Sequence, residues 1–143
     1  MMRKVKSFLI VLAISAAVPT MANSQLKKKE GKKIERVMNA IIAVESKGNP
    51  KAKSNDCVGV LQISEILVKE CNQILKKRKS NKRYTLGDRY NVKKSKEMFI
   101  LLQEHFNPEL NVEKAIKCWN CGFYTKQWKN KSIEYYKKVM KHY

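Results

Sequence analysis

The sequence predicts a compact all-α domain, and three observations carry that prediction. Apolar residues recur at helical spacing in several separate stretches, beginning with Ile34, Val37, Met38, Ile41 and Ile42. Asn91, Asn111 and Ser132 each stand just ahead of a later such stretch, where a side-chain oxygen can cap a helix. No stretch alternates apolar and polar residues as a half-buried strand does, and there is no internal repeat.

The chain opens on Arg3, Lys4 and Lys6, followed by an apolar run from Phe8 to Val18. Thr20-Met21-Ala22 and Ala22-Asn23-Ser24 then offer small residues for cleavage. This is a signal-peptide pattern over residues 1–22 and implies export, to the periplasm or outside the cell. The run is too short for a comfortable membrane span, which disfavours the alternative of an uncleaved anchor. No cysteine sits at the cleavage sites, so a lipoprotein anchor is not expected. Residues 23–32 read as a basic linker or frayed helix start, and 33–143 as one domain long enough for a real core.

Within that domain the first core helix is expected over roughly 33–46, stopped by Gly48 and Pro50. A loop rich in Gly, Asn, Pro, Ser and Asp follows from Lys47 to Val58. Val60 to about Leu75 reads as helical, a short helix and then a longer one, with Leu61, Ile63, Leu67, Cys71, Ile74 and Leu75 as its apolar positions. Residues 76–83, KKRKSNKR, read as a solvated loop, with a grip on wall polymer or membrane as the sharper alternative. Asn91 caps a helix running to about Phe106, with Val92, Phe99, Leu102 and Phe106 on its inner face. Asn111 caps another that turns Ala115, Ile116 and Trp119 inward. Ser132 caps the last, whose apolar side is Ile133, Tyr136, Val139 and Met140.

The chain carries 31 Lys and Arg against 12 Asp and Glu. Removal of three basic residues with the signal leaves 28 against 12, a balance of +16. Such a charge favours anionic partners. For an exported protein those are wall polymer, acidic glycan or membrane surface. Nucleic acid is not expected, because no basic helix with interleaved exposed aromatics appears. The four cysteines, Cys57, Cys71, Cys118 and Cys121, suggest structural disulfides of open connectivity in an exported chain. The wide Cys57–Cys71 spacing argues against a zinc site, and Cys118-x-x-Cys121 lacks the strand–turn–helix setting of a redox motif. No metal or cofactor is expected.

Glu45 is the candidate for chemistry. It falls eleven residues after Ile34, nearly the same angle on a helical wheel, at the end of the core-facing stripe. Partial burial and the negative end of a helix dipole both disfavour its charged form. A carboxyl protonated near neutral pH can act as a general acid and then, once ionised, as a base. The plainer alternative is a last-turn glutamate facing solvent or paired with a lysine.

Short motifs then fall in order. Glu45-Ser46 leads to Asn49-Pro50, with Ser54 nine residues after the glutamate. Gly59-Val60-Leu61-Gln62-Ile63 follows, then Ala115-Ile116-Lys117-Cys118-Trp119-Asn120-Cys121-Gly122, then Tyr135-Tyr136-Lys137-Lys138-Val139. This series resembles the soluble lytic transglycosylase catalytic domain over about residues 33–143, the lysozyme-like architecture shared with goose-type lysozyme. The resemblance implies that Glu45 is the sole catalytic acid and base. It implies that Ser54 and Gln62 are cleft residues near the scissile sugar, that Asn120 shapes the same cleft, that Tyr135 closes over the glutamate, and that Ser46 supports the site beside Glu45. Val60 and Leu61 stand where Leu and Met are usual, Trp119 replaces a tyrosine, and Cys118 and Cys121 replace small residues. The loop between Glu45 and Gly59 is one residue shorter than in some members.

The implied substrate is the β-1,4 bond of peptidoglycan between N-acetylmuramic acid and N-acetylglucosamine, cleaved without water to a 1,6-anhydro end by a monomer. The rivals are a lysozyme on the same fold, with Asp56 as the nearest second carboxylate, a wall-binding or inhibitory module that does no chemistry, and a basic antimicrobial or nucleic-acid-binding protein that would rest on charge alone.

Overall fold

The computed structural model describes the backbone of residues 18–143 and the side chains of 23–143. The expected signal segment 1–22 therefore lies outside the described residues, apart from the backbone of 18–22. Among the described residues no helix is long and apolar enough to cross a membrane.

The architecture is all-α, as expected, with five α-helices among the described residues around one core. The first, α1, runs Val18–Glu45. Its C-terminal half buries Val37, Met38, Ala40 and Ile41, while residues 23–32 are exposed on every side. The stretch read as a linker or frayed helix start is thus helical and continuous with α1. Its Gln, Leu, Lys and Glu residues are good helix formers, so a helix nucleated on the packed half propagates through them. Beyond Glu45 the chain turns at Lys47 (φ 51°) and Gly48 (φ 81°).

No strand was expected here, yet Lys53–Ser54 (β1) and Cys57–Val58 (β2) pair antiparallel, with Ser54 opposite Cys57. Two-residue strands are too short to leave an alternating pattern; the turn makes them, with Asn55 in the left-handed region at φ 52°. The short helix expected from Val60 is also absent. Residues 59–63 form a tight loop closed by mutual backbone hydrogen bonds of Val58 and Ile63, at 3.2 and 3.0 Å. Gly59 (φ 79°) is obligatory in it, since a Cβ there would lie 1.9 Å from the carbonyl oxygen of Arg89.

The longer helix, α2, is Glu65–Lys77, capped by Ser64, whose Oγ accepts from the Leu67 N–H at 3.3 Å. Of the basic run 76–83 expected as a loop, Lys76 and Lys77 form the last turn of α2; the Lys and Arg side chains of the run are exposed, with Arg78 paired to Glu104 and Lys82 to Glu97. A 3₁₀ turn, Leu86–Tyr90, leads to α3 (Val92–Phe106) and then α4 (Val112–Cys121). Asn91 and Asn111 cap these two as the sequence predicts. The last helix, α5, is Ile133–Met140. Ser132 precedes it, but its hydroxyl makes no cap bond and is committed elsewhere.

Phe99 and Leu102 of α3, Ile116 and Trp119 of α4, Val139 of α5 and Ile41 of α1 meet in the core. Val92 and Ile133, expected on inner faces, are exposed: each is the first residue of its helix, beyond the reach of the packed turns. The expected disulfides are absent: all four cysteines are free thiols. Cys71 sits in the core, its Sγ 3.9 Å from the Met98 carbonyl, while the other three line a cleft on the surface.

Candidate active site

The cleft encloses about 570 Å³ between the hairpin-and-loop segment and α4. Glu45 at the end of α1, Ser54 of β1, Gln62 of the loop and Asn120 of α4 line it together. Among the described residues that line it, Glu45 is the one carboxylate. Asp56 borders a different hollow, with Lys53 and Arg89, on the other side of the hairpin. Alternation along β1 and β2 makes this split: Ser54 and Cys57 face the cleft, Lys53 and Val58 the opposite side.

Tyr135 of α5 approaches Glu45 from outside the cleft lining and donates its hydroxyl to Oε1 at 2.6 Å. Among the described residues, no other hydrogen bond reaches this carboxyl group. Burial pushes the Glu45 pKa up, and the Tyr135 hydrogen bond pulls part of the way back. Burial, then the neighbouring Glu45 charge, raises the Tyr135 hydroxyl far above its ordinary value, so it stays a donor throughout.

Three side chains from three elements hold the loop that presents Gln62. Ser46 Oγ donates to the Val60 carbonyl at 2.7 Å. Trp119 Nε1 donates to the Leu61 carbonyl at 3.2 Å, with its ring packed 4.9 Å from that of Phe99. Arg89 Nη1 donates to the Ile63 carbonyl at 3.3 Å and to the Asp56 carbonyl at 3.0 Å. Gln62 itself, at φ 51°, turns its amide N–H groups back onto Ala52 O and Gly59 O, at 3.2 and 2.9 Å. That leaves its carbonyl oxygen as an acceptor.

Of the residues singled out in the sequence, the structure brings Glu45, Ser54, Gln62 and Asn120 to one cleft and sets Tyr135 on the glutamate. Ser46 is not in the lining; its hydroxyl ties the end of α1 to the loop. Sequence reading missed Arg89, because its carbonyl partners lie 26 and 33 residues away and leave no local signal. Among the described residues no group of His, Cys, Asp and Glu is arranged to hold a metal ion. A more apolar groove of about 640 Å³ lies between α1 and α3, lined by Ile34, Met38, Ile100 and Leu110. It lacks Glu45 and the polar residues gathered around it.

Compared with known proteins, residues 22–141 match the family model described as the transglycosylase SLT domain. Neither the curated proteins nor the solved structures include a significant match.

Proposed function

Because the chain belongs to the transglycosylase SLT domain family, we propose that it cleaves peptidoglycan glycan strands at the β-1,4 bond between N-acetylmuramic acid and N-acetylglucosamine, leaving a 1,6-anhydromuramyl end. The observation that carries this reading is that Glu45, the one carboxyl among the described cleft residues, has its pKa raised by burial and is held by one hydroxyl. Hydrolysis by two carboxylates needs a second one at a set separation. A reaction whose nucleophile is a hydroxyl of the substrate needs one group that gives a proton and then takes one.

Glu45 gives its proton to the glycosidic oxygen as the bond to C1 breaks. Tyr135 remains on Oε1 and stabilises the carboxylate that results. The carboxylate then takes the proton of the C6 hydroxyl of the same muramyl ring, whose oxygen closes onto C1. The leaving sugar carries away the first proton, the second returns Glu45 to its acid form, and no water is consumed. Ser54, Gln62 and Asn120 bind the strand, Gln62 through the carbonyl oxygen its backbone bonds leave open. The enzyme acts as a monomer and needs no cofactor. Its signal-peptide pattern directs it to the periplasm or the exterior, where its positive charge draws it to anionic wall or membrane surfaces.

Mass spectrometry of peptidoglycan digested by residues 23–143 tests the reading. Anhydromuropeptides, lighter by one water than the hydrolysed ones, are expected, and Glu45→Gln is expected to abolish them. Reducing ends in place of anhydro ends would make the protein a lysozyme, and a folded Glu45→Gln protein of normal activity would overturn the role of the glutamate.

A further inference from the structure

Ser132 lies outside the cleft lining but hydrogen-bonds to a residue within it. Ser132 closes the segment between α4 and α5 and takes the left-handed conformation, φ 57° and ψ 31°, which costs a non-glycine residue free energy. Its carbonyl accepts the first hydrogen bond of α5, from the Tyr136 N–H at 2.9 Å. A serine there would ordinarily turn its hydroxyl onto the helix it precedes. Here the hydroxyl donates across to Asn120 Oδ1 at 2.8 Å, on α4. The same contact therefore touches both sides of the site. Asn120 lines the cleft, and Tyr135, three residues after Ser132, reaches Glu45.

We propose that Ser132 is a positioning residue for the reaction, through a latch that fixes the Asn120 amide and the start of α5 together. With Oδ1 engaged by Ser132, the NH₂ end of Asn120 is the end left to the cleft, as a donor toward a substrate oxygen. Gln62, with its N–H groups engaged, offers the complementary acceptor. The start of α5 in turn sets the height of Tyr135 over Glu45, and a hydrogen bond of 2.6 Å tolerates little drift. Lys117 anchors the segment independently, through the Lys129 carbonyl at 2.6 Å and the Tyr136 ring at 5.5 Å, so loss of the latch leaves α5 packed.

The inference rests on the proposed reaction for its effect on turnover, but the geometry can be tested without it. Ser132→Gly removes the hydroxyl and eases the backbone, since glycine adopts positive φ freely. Carbon-13 NMR titration of Glu45 in the resting protein is the first readout. A loosened Tyr135 stabilises the carboxylate less, so the Glu45 titration moves to higher pH in Ser132→Gly while thermal stability holds. The second readout is turnover, where kcat falls about tenfold, as for a modest misplacement of a catalytic group, and KM rises as Asn120 loses its orientation. Ser132→Ala repeats both losses, and Ser132→Thr, which restores a hydroxyl, recovers part of each. An unmoved Glu45 titration in folded Ser132→Gly overturns the latch whatever the wild type does. A wild type that releases no anhydro product refutes the reaction instead and leaves the titration to judge Ser132.

Discussion

Replacing Tyr135 by Phe removes one oxygen and keeps the ring against the core. In the intact protein that oxygen sits 2.6 Å from Glu45 Oε1, and among the described residues nothing else hydrogen-bonds the carboxyl. A hydrogen bond to a charged group contributes about 1.5–3 kcal/mol. If that contribution is felt where the carboxylate forms, kcat falls about 10- to 100-fold at about 1.4 kcal/mol per decade. The sign of the pH effect follows from the same contact. The hydrogen bond lowers a Glu45 pKa that burial raises, so its loss leaves burial unopposed and the pKa moves further up. The Glu45 limb of the pH–rate profile therefore shifts alkaline. KM changes little, because Tyr135 is not in the cleft lining. The assay is initial release of anhydromuropeptides across pH, with circular dichroism to verify the fold. A variant with wild-type kcat and an unshifted profile would refute the role of the hydroxyl; one in which only KM rose would make Tyr135 a binding residue.

Other expectations follow from single features. Burial raises the folded-state pKa of Glu45 above its ordinary value near 4.3, so its contribution to stability is full below that value and is lost as pH rises through the folded pKa. Glu45→Gln should thus be more stable than wild type at about pH 8 and lose that advantage below about pH 4; equal melting differences at both would contradict the burial argument. Gly59→Ala forces a Cβ to within 1.9 Å of the Arg89 carbonyl oxygen at positive φ, a cost of about 2–5 kcal/mol in strain and displaced backbone. Urea unfolding measures it, and a loss below about 1 kcal/mol would mean that the loop yields freely. Alkylation of the folded protein should label Cys121 and Cys57, which are half-buried in the cleft. Cys71 and Cys118 should stay unlabelled, since burial pushes their thiols up to about 12 and about 11. Peptide mass spectrometry decides, and early labelling of Cys71 would contradict its place in the core.

Helical spacing, caps and breakers are local properties of the chain, and most of the architecture could be read from them. The stripe from Ile34 to Ile42, the caps at Asn91 and Asn111 and the stop at Gly48 all carry their physical cause within a few residues. The failures lie where a distant partner decides. Val60 to Ile63 has helical composition, but Ser46, Trp119 and Arg89 each take a carbonyl from it, and Gly59 lies against the Arg89 backbone. Ser132 stands where a cap belongs, but a stronger claim on its hydroxyl comes from Asn120, twelve residues back.

The site divides along the same line. The family resemblance of the ordered motifs pointed to Glu45, Ser46, Ser54, Gln62, Asn120 and Tyr135, and the structure brings all but Ser46 to the cleft or onto its glutamate. The sequence also placed a carboxylate at the C-terminal end of an apolar stripe, which is why its ionisation was suspect. Whether a second carboxylate joins it depends on the turn between two short strands, and that turn places Asp56 at a different hollow. How the polar ends of Gln62 and Asn120 face the cleft depends on the groups that occupy their other ends. Those choices belong to the packed molecule, because which end of an amide is engaged is set by the groups folded against it and leaves no periodicity to read.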